Sequence, residues 1–99
     1  DPEEAFVAAV SSCHMLTFLA LAASKGFVVD SYEDEAVGHL EKNAAGKMAV
    51  TRVELHPRVS FGGAKQPAEP DLAALHERAH KECFIANSVT TDVKVAGHG

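Results

Sequence analysis

The sequence predicts an α+β fold: a long buried central helix and a second helix packed on an antiparallel sheet. Three observations predict it. A capped apolar helical pattern opens the chain, a two-residue alternation runs from Ala49 to Phe61, and a second helical pattern runs from Pro70 to Cys83. The order helix, strands, helix, strand, without repeats or low-complexity segments, is an α+β layout. At 99 residues, one domain spanning 1–99 is expected.

The opening helix carries both of its end signals. Asp1 is a good N-cap, Pro2 suits the first helical position, and Glu4 completes a D-x-x-E capping box. Helical spacing holds from Glu3 to about Lys25, where Gly26 is the expected C-cap. Phe6, Val10, Cys13, Leu16, Leu19 and Ala20 make one apolar face, and Val7, Ala8, Met15, Phe18 and Leu21 make much of the remainder apolar. A helix apolar on most sides belongs in the interior. Cys13 stands near its midpoint.

Phe27 to Asp30 reads as a short extended piece, and Glu35 to Glu41 alternates with Ala36, Gly38 and Leu40 on one face. Asn43-Ala44-Ala45-Gly46 is a hairpin turn. The next strand is the clearest in the chain. Ala49, Thr51, Val53, Leu55, Pro57, Val59 and Phe61 share one face, and Arg52, Glu54, His56 and Arg58 lie on the other. Pro57 implies an edge position or a bulge. Gly62 to Pro67 is a loop. In the second helix Leu72, Leu75, Ala79 and Cys83 recur at spacings of three and four, which puts Cys83 on the buried side. Val89 to Val95 reads as a last strand, with Val93 and Val95 inward.

Composition narrows the function. The net charge of −5, without long runs of one sign, disfavours nucleic acid and anionic membranes, which call for a basic face. Ala5 to Ala23 is interrupted by Ser11, Ser12, Cys13 and His14 and lacks basic flanks, so a buried helix is expected rather than a membrane span or signal peptide. A cytoplasmic location follows as the expectation. A chain this short buries a modest core, so a second copy would help it.

The two cysteines lie far apart in sequence, not in a metal-binding C-x-x-C. In a reducing compartment they are either inert buried thiols or a redox pair. Both fall on apolar helix faces of one small core, so they can meet; a disulfide needs Cα atoms within roughly 7 Å.

Both cysteine segments resemble one family. Asp1-Pro2-Glu3-Glu4-Ala5-Phe6, followed by Ala8-Ala9-Val10-Ser11-Ser12-Cys13, is similar to the P-E-x-L/A-F…A-x-x-S/A-C helix of the OsmC/Ohr proteins. These are the osmotically inducible and organic-hydroperoxide-resistance proteins. His80 to Val89 resembles the family's second-cysteine segment, and Ser31-Tyr32-Glu33 and Val53 to Val59 fit its strands. The resemblance covers Asp1 to about Val95.

The resemblance implies an intertwined homodimer and a thiol-dependent peroxidase. Cys13 would be the peroxidatic and Cys83 the resolving cysteine, with a hydroperoxide as substrate and a small or protein dithiol as reductant. No cofactor and no metal are implied. An apolar lining of Phe6, Leu16, Leu19 and Phe84 would favour organic peroxides. In the family an arginine from an N-terminal strand activates the peroxidatic cysteine, held by a glutamate at the position of Glu3. Such a strand would precede Asp1, and the segment carrying it is expected to be absent from this sequence. Within the chain, Arg52, Arg58 and His14 are the candidate substitutes. Glu3 lies about 15 Å along the helix from Cys13, so it would act through a long arginine, a kink or a partner subunit.

Blander roles stand beside these. Glu3 also suits a first helical turn, Arg52 and Arg58 a charged outer sheet face, and His14 a packing or hydrogen-bonding role. His76 and His80 have an i, i+4 zinc spacing but no obvious third ligand, so a solvated helix face is expected. The alternative to the peroxidase is a binding or structural dimer of the same fold with an unactivated thiol.

Overall fold

The structure, a computed structural model, describes residues 1–96. Helix α1 spans Pro2–Ser24, strands β1 to β4 span Val28–Asp34, Val37–Lys42, Met48–Leu55 and Pro57–Gly62, α2 spans Glu69–Glu82, a 3-10 turn spans Ala86–Ser88, and β5 spans Asp92–Val95. The ends of α1 form as expected. The Asp1 carboxylate accepts the Glu4 N–H at 2.7 Å. At the other end Gly26 takes φ +80°, its N–H reaches the Ala23 carbonyl at 3.0 Å, and the Phe27 N–H reaches the Ala22 carbonyl at 3.0 Å. That is a Schellman stop, and Phe27 then packs in the same cluster as Ala22.

The strands form one long hairpin with a joint in each arm. β1 pairs antiparallel with β4, and β2 pairs antiparallel with β3. At the tip, Asn43 Oδ1 accepts the N–H groups of Ala45 and Lys47. The alternation at 49–61 is therefore not one strand. It breaks at His56, whose N–H turns to Asp34 Oδ1 at 2.6 Å, and each half joins a different sheet. The last strand also differs: it starts at Asp92 and runs parallel to β3, with Val53 beside Val93 and Leu55 beside Val95. The outer face of β3 and β4 is charged, as expected. Arg52 pairs with Glu41 and Glu54, and Arg58 with Glu33 and Glu35.

Two apolar clusters make the core. Val10 packs with Val53, Leu55, Val93 and Val95. Phe18 and Ala22 pack with Phe27, Leu75 and Ala79. The buried line of α1 is thus Val10, His14, Phe18 and Ala22, at intervals of four. The expected burial of α1 on most sides is not what a single chain provides. α2 and the sheets cover one side, and Leu16, assigned to the buried face by its spacing, is 61% exposed. By length and composition α1 could also cross a membrane; here its buried line packs on α2 and the strands.

Phe18 is fully buried and stacks on His76 at 4.4 Å between ring centroids, with Tyr32 and Phe61 also in ring contact. Phe18→Ala is expected to cost about 3–5 kcal/mol, read as a lowered denaturant midpoint at unchanged slope.

Candidate active site

Between the two apolar clusters α1 presents Cys13 and His14, and α2 presents His76 from its middle and Cys83 at its end. Cys83 is the C-cap of α2, with extended backbone at φ −67° and ψ 116°, so the chain leaves the helix at this residue. Cys83 is buried and Cys13 partly buried, both as free thiols. Their side chains are hydrogen-bonding neighbours. The expected meeting of the two cysteines therefore occurs.

Their ionisation is displaced in opposite directions. Burial raises the Cys13 thiol, but hydrogen bonds, foremost from Cys83 and then from the backbone N–H groups of Ile85 and Phe84, outweigh it. Cys13 is held below the ordinary thiol value. Burial, the hydrogen bond shared with Cys13 and the Cys13 charge push Cys83 up, against the N–H groups of Ala86 and Ile85. One thiol is thus prepared to ionise and its neighbour to stay protonated.

α1 and α2 also bring together a buried imidazole pair. His14 Nε2 and His76 Nδ1 are 3.0 Å apart, and the rings stack within 3° of parallel. Burial, then the charge of His80, lowers His14 to about 4, against the raising influence of Asp34. His14 is therefore a neutral hydrogen-bonding residue, as its blander reading had it. The expectation of a solvated face for His76 and His80 fails at His76, which is 1% exposed because α1 lies on it. No group of three metal-ligating side chains exists among the described residues.

The remaining candidates stand elsewhere. Arg52 and Arg58 are committed to their surface carboxylates. Glu3 is exposed in the first turn of α1 and makes no ion pair among the described residues. It lines a cavity of about 590 Å3 between the N-terminal half of α1 and the β1–β2 arm, together with Ser12, Met15, Tyr32, Asp34 and Leu40. Neither cysteine lines this cavity, because the helical turn sets Cys13 on the other side of α1. What the sequence reading missed is the pair of backbone N–H donors to Cys13, from Phe84 and Ile85 just after Cys83. The turn-forming pair Asn87-Ser88 was the available signal.

The OsmC-like protein family model matches residues 1–96. The chain belongs to the OsmC-like family. It is 56% identical to an OsmC-like protein of unknown function from Vibrio cholerae, with a TM-score of 0.94, covering 96% of this chain and 62% of that one. The chain thus spans less than two thirds of that relative. An organic hydroperoxide resistance protein OsmC from Legionella pneumophila shares the fold at 20% identity and a TM-score of 0.77, over 96% of this chain and 66% of that one. An OsmC-like protein from Mycoplasma pneumoniae does so at 16% identity and a TM-score of 0.75, over 92% and 65%. No curated protein matches the chain.

Proposed function

We propose that this OsmC-like chain carries the working cysteines of a thiol-dependent peroxidase that reduces organic hydroperoxides and also accepts inorganic ones. The observation that carries the reading is the hydrogen-bonded pair Cys13 and Cys83 with oppositely displaced ionisation. The Cys13 thiolate attacks the terminal peroxide oxygen, the one that carries the hydrogen, and the O–O bond breaks. The departing alkoxide takes a proton and leaves as alcohol, and Cys13 becomes a sulfenic acid. The Cys83 sulfur then attacks the Cys13 sulfur. An S–S bond forms, and the hydroxyl leaves as water with the Cys83 proton. Two thiol groups of a dithiol reductant restore both cysteines by exchange and end as a disulfide.

Family membership and the name of the Legionella relative support a redox role. Phe84, 81% exposed and next to Cys83, and Leu16, one turn from Cys13, offer an apolar approach suited to alkyl or aryl hydroperoxides. The same exposed residues suit a homodimer, in which a second copy covers this side of α1. Glu3 belongs to the proposed site only through such an assembly, where it would hold a cation beside Cys13. We place the reaction in the cytoplasm, where dithiol reductants keep the pair reduced.

One observation favours the idle-thiol dimer instead: among the described residues no lysine or arginine acts on Cys13. One equivalent of cumene hydroperoxide separates the two. The expected product is a peptide pair joined through Cys13 and Cys83, seen by mass spectrometry and reversed by dithiothreitol. Unmodified thiols after that exposure would leave the idle-thiol dimer.

A further inference from the structure

The turn after Cys83 is braced so that its peptide N–H groups face the sulfurs. In a trans peptide the C=O and the following N–H point in opposite directions, and the described chain has no cis bond. Fixing a carbonyl therefore aims the next N–H. The Cys83 carbonyl accepts the Asn87 N–H at 3.1 Å, which aims the Phe84 N–H the other way. The Phe84 carbonyl accepts the Ser88 hydroxyl at 2.7 Å, which aims the Ile85 N–H. The Ile85 carbonyl accepts the Ser88 N–H at 3.0 Å, which aims the Ala86 N–H. The groups so aimed are those that meet the sulfurs: Phe84 and Ile85 at Cys13, and Ile85 and Ala86 at Cys83. The Asn87 amide ties the turn back to α2 by donating to the Lys81 carbonyl at 2.8 Å.

We propose that Ser88 is a positioning residue for the reacting sulfur: its hydroxyl, by holding the Phe84 carbonyl outward, keeps the Ile85 N–H aimed at Cys13. Asn87 supports it by fixing the turn against the end of α2. The assignment rests on the reading of Cys13 as the reacting thiol. Ser88 touches neither sulfur nor substrate. Its hydroxyl sets where the peptide dipole points, and that dipole stabilises the thiolate and, in the reductive step, the thiolate released from the disulfide.

The test reads thiol ionisation directly and needs no peroxide. In the reduced protein, alkylation of Cys13 by iodoacetamide is followed by mass spectrometry as a function of pH. Ser88→Ala is expected to move the midpoint of Cys13 alkylation upward by roughly one pH unit, lowering the thiolate fraction near neutral pH up to about tenfold. Ser88→Thr, which keeps the hydroxyl, is expected to restore the wild-type midpoint. Asn87→Ala should move the midpoint in the same direction by a smaller amount. Ser88 and Asn87 are exposed, so the variants are expected to keep the wild-type circular dichroism spectrum. An unmoved Cys13 midpoint in Ser88→Ala, or an equal rise in Ser88→Thr, overturns the assignment. A shifted midpoint in a protein that consumes no hydroperoxide would retain Ser88 as the positioning residue and reject the peroxidase. Peroxide turnover with an unmoved midpoint would do the reverse.

Discussion

Serine in place of Cys13 is expected to abolish hydroperoxide consumption, a loss on the order of 10^4-fold or more, because no other group supplies the attacking electron pair. Serine in place of Cys83 should behave differently. Cys13 can still attack once, so the first equivalent of peroxide is consumed and turnover then stops at the sulfenic acid, which dimedone traps. Stopped-flow consumption of cumene hydroperoxide, with mass spectrometry of the dimedone adduct, reads both variants. A burst in Cys13→Ser and none in Cys83→Ser would reverse the two assigned parts.

Acid is expected to destabilise the protein through His14. In the unfolded chain this imidazole binds its proton near its ordinary value of 6.5, and in the folded chain only near 4. Between those values the unfolded state holds more protons, so stability rises with pH. The contribution is intact above about pH 6.5 and is lost as pH falls towards 4, a loss of up to about 3 kcal/mol. Burial sets most of this window; the charge of His80 also opposes protonation, and Asp34 favours it. Denaturant midpoints at pH 7 and pH 4.5 measure the loss. His14→Phe alone removes the 3.0 Å contact between His14 Nε2 and His76 Nδ1 and is expected to destabilise at pH 7. The double variant His14→Phe, His76→Leu replaces both imidazoles by apolar groups. It is expected to show a flatter slope between pH 4.5 and 7. A wild-type slope in the double variant would move the acid sensitivity to other groups.

Local signals were legible where a single element decides the outcome. Asp1 and Gly26 bounded α1 because caps act within a turn. Cys13 and Cys83 met because both sit where helices face the same interior. Other features depend on what packs against an element. The alternation at 49–61 continues in phase through His56, so nothing in it announces that Asp34 takes the His56 N–H and that the two halves change partners. The apolar character of α1 does not say which side α2 will choose. Val10, His14, Phe18 and Ala22 won that side, and a histidine, His14, sits on a helix whose spacing would assign the buried face to Phe6, Val10, Cys13 and Leu16. The donors around Cys13 are mostly peptide groups, which every residue carries and no letter code marks.

Joining Cys13 to Cys83 would staple the middle of the first helix to the end of the second and close a loop of about 70 residues. A link over that length restricts the unfolded chain by up to about 4 kcal/mol on loop-entropy grounds. Each catalytic cycle would therefore pass through a rigid, hard-to-unravel interval and return to a looser molecule when the reductant opens the staple. The protein would be toughest at the moment when oxidant is most abundant.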